Sequence, residues 1–250
     1  MADRTSTLTS SAQFWDGVYA TGGTSGTGSV GRLSSFKAEV LNRLIAECGV
    51  RSAIEFGCGD GSQLALIDYP NYLGLDTSPT AVELCRERFG NDASKHFRAY
   101  ETGDLIAERA DLSVSLDVIY HLLEDDVYDR YMTDLFGAAR RLVVVYSSDR
   151  DDETEWPEVR HRRFTTWVAD RAPAWDLLRR IPNRYPYQSG RIDTSWSDFF
   201  IFGRTRPPGR KRLINEVSRP PHGALLLEGG NDERIPNRHR PGTGRRRRSR

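Results

Sequence analysis

Four acids in this chain stand at or just after the ends of apolar runs, and those are the residues best placed to do chemistry. Glu55 follows Ile54 and precedes Phe56-Gly57-Cys58-Gly59-Asp60-Gly61. Asp76 closes Tyr72-Leu73-Gly74-Leu75, Asp104 follows Gly103 after the run from His96 to Tyr100, and Asp117 closes Leu112-Ser113-Val114-Ser115-Leu116. Short apolar runs bounded by turn residues read as buried strands. A carboxylate at a strand end accepts hydrogen bonds from a diol or an amine. Gly57, Gly59 and Gly61 form a turn where backbone closely approaches a ligand, because glycine has no Cβ and accepts positive φ. The dinucleotide fingerprint is G-x-G-x-x-G, and here the third glycine arrives one residue early. A carboxylate two residues before Gly57 would repel a pyrophosphate and suits a cationic or amino-bearing ligand. Asp76 is the residue type that holds a ribose diol, which speaks for adenosine without choosing among adenosine cofactors. His121, four residues past Asp117, has a pKa near neutrality and the capacity to take a proton from a hydroxyl.

These side chains need a parallel sheet to bring their strand ends together. Leu33, Phe36, Val40, Leu44 and Cys48 recur at helical spacing, with Gly49 as the stop, and predict a helix before the first strand. Ser62 to Ile67 reads as the first turns of the helix after it. Pro79 to Phe89 predicts the next helix, with proline in its first turn. Glu124 to Ala139 predicts a long one, its start crowded with Glu124, Asp125 and Asp126 as the helix dipole favours. Arg141 to Tyr146 is nearly continuous apolar residues, the mark of a central parallel strand. Phe164 to Ala172 reads as a short helix, and Trp175 to Ile181 and Phe199 to Gly203 as the last strands. The aromatic Phe14-Trp15-Asp16-Gly17-Val18-Tyr19, followed by the glycine-rich stretch Gly22 to Gly31, suggests a mobile flap over the site.

Taken together, Glu55-Phe56-Gly57-Cys58-Gly59-Asp60-Gly61, Asp76, Asp104 and the stretch Leu112 to Leu122 resemble the motifs of class I S-adenosylmethionine-dependent methyltransferases. The resemblance runs from about Phe14 to Thr205. It implies an α/β, Rossmann-like fold with a seven-stranded sheet, helices on both faces, strand order 3-2-1-4-5-7-6 and an antiparallel last strand. It also implies S-adenosylmethionine as cofactor, held by Glu55, Gly57, Cys58, Gly59, Gly61, Asp76, Thr77, Asp104, Leu105 and Asp117. His121 becomes the candidate catalytic base. Tyr19, His161, Arg162, Arg163 and Tyr185 become candidate substrate-binding residues, because Arg beside Tyr suits an anionic or sugar-bearing acceptor. The motifs that follow the fourth strand in base or glutamine methyltransferases, N-P-P-Y and D-P-P-Y, are absent, as is a P-C nucleophile.

Composition is consistent with one enzyme domain and a tail. The chain has 250 residues, 38% of them hydrophobic. The net charge of +1 conceals an asymmetry. Residues 206–250 carry 13 Lys and Arg against 4 Asp and Glu, leaving 23 against 31 for residues 1–205. The expected organisation is a flexible N-terminus over residues 1–13, a methyltransferase domain over residues 14–205, and a basic, disordered Pro/Gly/Arg-rich tail over residues 206–250. No apolar stretch reaches the ~18 residues of a membrane span, and Met1 to Ala12 has no apolar signal core, so a cytoplasmic location is expected. Cys48, Cys58 and Cys85 lack metal-binding spacing, and no metal is expected. The expected reaction is methyl transfer to oxygen or nitrogen of a small molecule, such as a sugar or secondary metabolite with an anionic group. The alternatives are an RNA or protein methyltransferase, supported by the basic tail as a nucleic-acid contact and by the cluster from Arg160 to Arg163, and a non-catalytic cofactor-binding protein. Neither alternative is favoured, and the sequence does not give an oligomeric state.

Overall fold

The computed structural model describes residues 10–104, 106–154 and 156–205. Leu105 and the basic tail, 206–250, lie outside the described residues. Twelve helices and strands follow one another there: α1 Ser11–Ala20, α2 Gly31–Cys48, β1 Ala53–Phe56, β2 Tyr72–Asp76, α3 Pro79–Phe89, β3 Lys95–Ala99, β4 Ala110–Leu116, α4 Asp125–Ala138, β5 Ala139–Ser147, α5 Phe164–Arg171, β6 Trp175–Ile181 and β7 Asp198–Arg204. The seven strands form one sheet in the order β3-β2-β1-β4-β5-β7-β6. Pairing is parallel from β3 through β5, and β7 runs antiparallel to both β5 and β6. The expected topology is therefore the observed one.

Strand alternation splits the core in two. Ala53 of β1 belongs to one cluster with Phe36, Val40, Leu41 and Ile45 of α2 and Val82 and Cys85 of α3. Ile54 and Phe56 belong to the other, with Tyr131, Met132, Leu135 and Phe136 of α4 and Phe164 and Val168 of α5. Each face is thus sealed by helices, as a parallel sheet requires. The buried face of α4, with Tyr131, Met132, Leu135 and Phe136, is core.

Local chemistry sets the boundaries. Ser10 caps α1 in a reciprocal capping box with Gln13, so the helix begins at Ser11, ahead of the expected domain start at Phe14. Gly49 ends α2 in the left-handed conformation. Ser78 caps α3, with Pro79 in its first turn. One predicted helix is absent: Ser62 to Ile67 makes only the single 3-10 turn Leu64–Leu66. The chain must reach β2 at Tyr72, and Pro70 lacks the N–H that a continuing helix would need. Among the described residues, no helix is long and apolar enough to cross a membrane.

Candidate active site

Because β1, β2, β4 and β5 are parallel, their C-terminal ends share one edge, and a cavity of about 680 Å³ opens there. Its floor is the glycine turn after β1. Gly57 has φ +81°, and a Cβ on it would lie 2.5 Å from the Val118 side chain. Gly59 has φ +57°, and a Cβ there would collide with Ser25 and Tyr19. Both positions therefore demand glycine twice over, for backbone sign and for space.

Asp76 is buried at the end of β2 and lines the cavity. One carboxylate oxygen accepts the Gly59 N–H at 2.8 Å and the other accepts the Ser78 N–H at 2.9 Å. Burial raises its pKa, and those backbone bonds oppose the rise. Each oxygen keeps a lone pair for a further donor. Glu55 is also buried in the wall and accepts the Tyr72 hydroxyl at 2.8 Å. Burial pushes its pKa up to about 7, against the pull of the Tyr72 bond and the Lys37 charge. Gln63, buried two residues past Gly61, donates from Nε2 to the Ser34 carbonyl at 3.2 Å, and its Oε1 has no partner.

The far wall is built after β4. Asp117 takes φ +59°, alone among described non-glycine residues, and its N–H donates to the Tyr146 carbonyl at the end of β5. This turn directs Tyr120 and His121 to the cavity. Three protein donors meet the Asp117 carboxylate. Lys37 Nζ donates to Oδ2 at 2.7 Å, while the Tyr120 and Ser197 hydroxyls donate to Oδ1, each at 2.9 Å. These bonds brace the site, and Oδ2, with Lys37 as its one donor, keeps a lone pair toward the cavity that Asp117 lines. His121 Nδ1 lies 2.8 Å from the Glu158 carbonyl oxygen. A carbonyl only accepts, so Nδ1 carries the hydrogen and Nε2 keeps its lone pair. Burial depresses the pKa of His121. Trp15 meets its ring edge-on with centroids 4.9 Å apart.

The roof is α1 with the loop to α2. Ser25 and Asp60 exchange two bonds, each 3.0 Å, tying the loop to the glycine turn. Tyr19 reaches Ser25 at 3.1 Å, and Asp16 accepts the Ser78 hydroxyl at 2.6 Å. Ser11 donates from N and Oγ to Glu124. The aromatic segment read as a flap is thus latched over the cavity, with Trp15 and Tyr19 in its lining.

Of the expected site residues, Glu55, Gly57, Cys58, Gly59, Asp76, Thr77, Asp117, His121 and Tyr19 line this cavity. Gly61 lies behind it, against Phe89 and Cys85 of α3. Asp104 does not line it: the residue is exposed and accepts the Glu101 N–H to close its own turn, and Tyr100, Glu101 and Thr102 face the cavity instead. Four substrate candidates are also elsewhere. His161 is buried between Ser148 at 2.7 Å and Arg150 at 3.1 Å. Arg162 donates to the Leu122 and Leu123 carbonyls and to Asp125, with its guanidinium over the Tyr128 ring. Arg163 pairs with Asp151, and Tyr185 stands against Phe36 under the Arg32 guanidinium. The loop arginines are within reach of Asp125 at the start of α4 and of Asp151, and those acids claim them. Sequence reading gave no role to Lys37, Gln63 or Tyr120. Lys37 did leave a signal, as a charge four residues after Leu33 and four before Leu41 on the buried stripe of α2.

Comparison with known proteins gives this cavity a chemistry. Residues 54–141 match a family model described as a methyltransferase domain. The N-methyltransferase NodS from Bradyrhizobium japonicum WM9, solved with S-adenosyl-l-homocysteine, is 19% identical with a TM-score of 0.56, over 69% of this chain and 87% of that one. Magnesium protoporphyrin IX methyltransferase (ChlM) from Synechocystis PCC 6803, solved with SAM, is 16% identical with a TM-score of 0.52, over 69% and 79%. The small RNA methyltransferase HEN1 is 18% identical with a TM-score of 0.53, over 69% of this chain and 25% of that one. At these identities the likeness is one of fold. No curated protein sequence matches this chain.

The residues present fit S-adenosylmethionine. The cavity lining carries six carboxylates, Glu55, Asp76, Glu101, Asp117, Glu124 and Glu158, against the single ammonium of Lys37. Such a wall attracts a sulfonium and an ammonium and repels a pyrophosphate. Asp76 has the free lone pairs a ribose diol needs. Among the described residues, no group of three or more His, Cys, Asp or Glu is arranged to hold a metal ion. Domain match, sheet order and an acid-walled cavity over a glycine turn agree: the chain is an S-adenosylmethionine-dependent methyltransferase of the class I fold.

Proposed function

We propose that this enzyme transfers a methyl group to an oxygen or nitrogen of a small molecule, with His121 as the base that takes the acceptor's proton. The observation that carries this reading is the bonding of His121. Its Nδ1–H is spent on the Glu158 carbonyl, so the atom left for an acceptor is the basic Nε2. Burial favours the neutral ring near pH 7, the form a base needs. The cofactor supplies an electrophilic methyl on a positively charged sulfur when bound. The chain's part is to align and deprotonate. Asp76 and the glycine turn would hold the adenosine, and Asp117, braced by Lys37, holds the turn that presents Tyr120 and His121. The α1 roof limits water.

A small acceptor is supported by the cavity's size, which falls within the range of about 300–1,000 Å³ usual for small-molecule sites. The anionic group expected on the acceptor loses its support, because Arg162, Arg163 and His161 are committed outside the lining. The same pairing removes one of the two arguments for RNA, the Arg160 to Arg163 cluster.

The test is transfer of labelled methyl from S-adenosylmethionine into a metabolite extract, with purified RNA and protein as parallel acceptors. Label is expected in small molecules. His121→Gln is expected to lower turnover by about 10² to 10⁴ while changing S-adenosylhomocysteine affinity less than about threefold. Label in RNA or protein alone would overturn the acceptor class. Full turnover by His121→Gln would overturn the base.

A further inference from the structure

We infer that Gln63 is a recognition residue for the amino-acid end of the cofactor, its Oε1 accepting a hydrogen bond from the methionine α-ammonium. The inference rests on the cofactor already assigned and adds a residue to its site. Six buried side-chain polar atoms among the described residues have no partner, and only Gln63 Oε1 belongs to a residue that lines the cavity. Gln63 is 6% exposed, so water reaches it poorly. A buried acceptor without a donor is costly, and a ligand that supplies the donor removes that cost.

The amide cannot simply turn over to satisfy itself. Nε2 donates to the Ser34 carbonyl, and the flipped orientation would set two oxygens against each other there. Position selects among the cofactor's donors. The adenosine acids stand over β2 and after β3, at Asp76 and Glu101. Gln63 is tied to α2, whose Lys37 reaches across to Asp117 after β4. Beyond its adenosine, the cofactor has one donor group, the α-ammonium. Glu55 is the carboxylate that would share it, within the field of Lys37. Lys37 is itself engaged with Asp117, so the ammonium at this end would meet an amide oxygen and a carboxylate.

The experiment uses two ligands that differ only by the amino-acid end. S-adenosylhomocysteine carries the ammonium, and 5′-methylthioadenosine lacks it. Calorimetric titration of the full chain with each should show Gln63→Leu weakening S-adenosylhomocysteine at least about tenfold while methylthioadenosine changes less than about threefold. Methylthioadenosine binding doubles as the check that the variant is folded. Asp76→Ala should weaken both ligands together. Equal losses for both ligands in Gln63→Leu, or no loss for either, would overturn the role of Gln63. Failure of the wild-type protein to bind either ligand would overturn the adenosine site itself, a different result from the other two.

Discussion

Glu55 should make cofactor binding depend on pH. The carboxyl is buried and its pKa is raised from 4.5 to about 7, with burial as the leading cause. The charged and titratable groups around it are Tyr72, Tyr69, Tyr131, Cys58, Asp76 and Lys37. An ammonium ligand pairs with the ionised form, so below pH 7 binding must first expel a proton. With a ligand-free pKa near 7, about 3% of Glu55 is ionised at about pH 5.5 and about three-quarters at about pH 7.5. S-adenosylhomocysteine affinity should therefore rise roughly 25-fold across that window. Stability of the ligand-free protein should move the other way. The folded state holds this proton more tightly than the unfolded chain, so the contribution is present below about pH 4.5 and is lost by about pH 7. A shift of that size corresponds to about 3 kcal/mol as an upper figure. Asp76, also raised, adds to the same trend, and His121, lowered, opposes it. Glu55→Gln isolates the effect, because subtraction removes the other two groups. Calorimetric titration in steps from pH 5.5 to pH 7.5 is the assay. Wild-type affinity flat within about twofold, or a slope that survives Glu55→Gln, would refute the reasoning.

Two further substitutions test how the site is held. Gly59→Ala should destabilise the domain by about 1–3 kcal/mol, since the residue has φ +57° and its new methyl would displace Ser25 and Tyr19. Thermal unfolding reads the loss, and an unchanged Tm would show that the α1 roof is not held as described. Arg162→Met should also lower the Tm, by removing the bonds to the Leu122 and Leu123 carbonyls and the contact with Tyr128. It should leave S-adenosylhomocysteine affinity within about twofold of wild type. A tenfold loss of affinity with an unchanged Tm would return Arg162 to the binding site.

Strands and long helices were legible because burial writes them into the sequence with a fixed period. β2 and β7 are read directly from their apolar runs, and α2 from its stripe. The turn after β1 was legible because only glycine tolerates its backbone signs and the approach of Val118. The helix expected at Ser62 to Ile67 was not, since the same Leu and Ile spacing fits one 3-10 turn against the core as well as several α turns. What decided it was the short path to Tyr72, which is a matter of distance between strands.

Side-chain commitments were the least legible part, and the reason is physical. A charged residue in a loop is drawn to whichever opposite charge or free carbonyl the fold brings near it, and that neighbour is usually distant in sequence. Arg162 finds Leu122, Leu123 and Asp125, about forty residues away, and is spent there. Asp104 finds Glu101 N–H, three residues away, and closes a turn. Asp117 sits at the strand end where a cofactor contact is expected, and Lys37 and Ser197, both distant in sequence, take three of its bonds together with Tyr120. The converse is the more useful rule for this site. Residue type marks what a side chain can do, but an unspent valence marks what it is kept for. Asp76 retains lone pairs, His121 retains Nε2 and Gln63 retains Oε1, and all three line one cavity. If that rule holds, adenosine, acceptor and amino-acid end are each met by an atom the fold has left free.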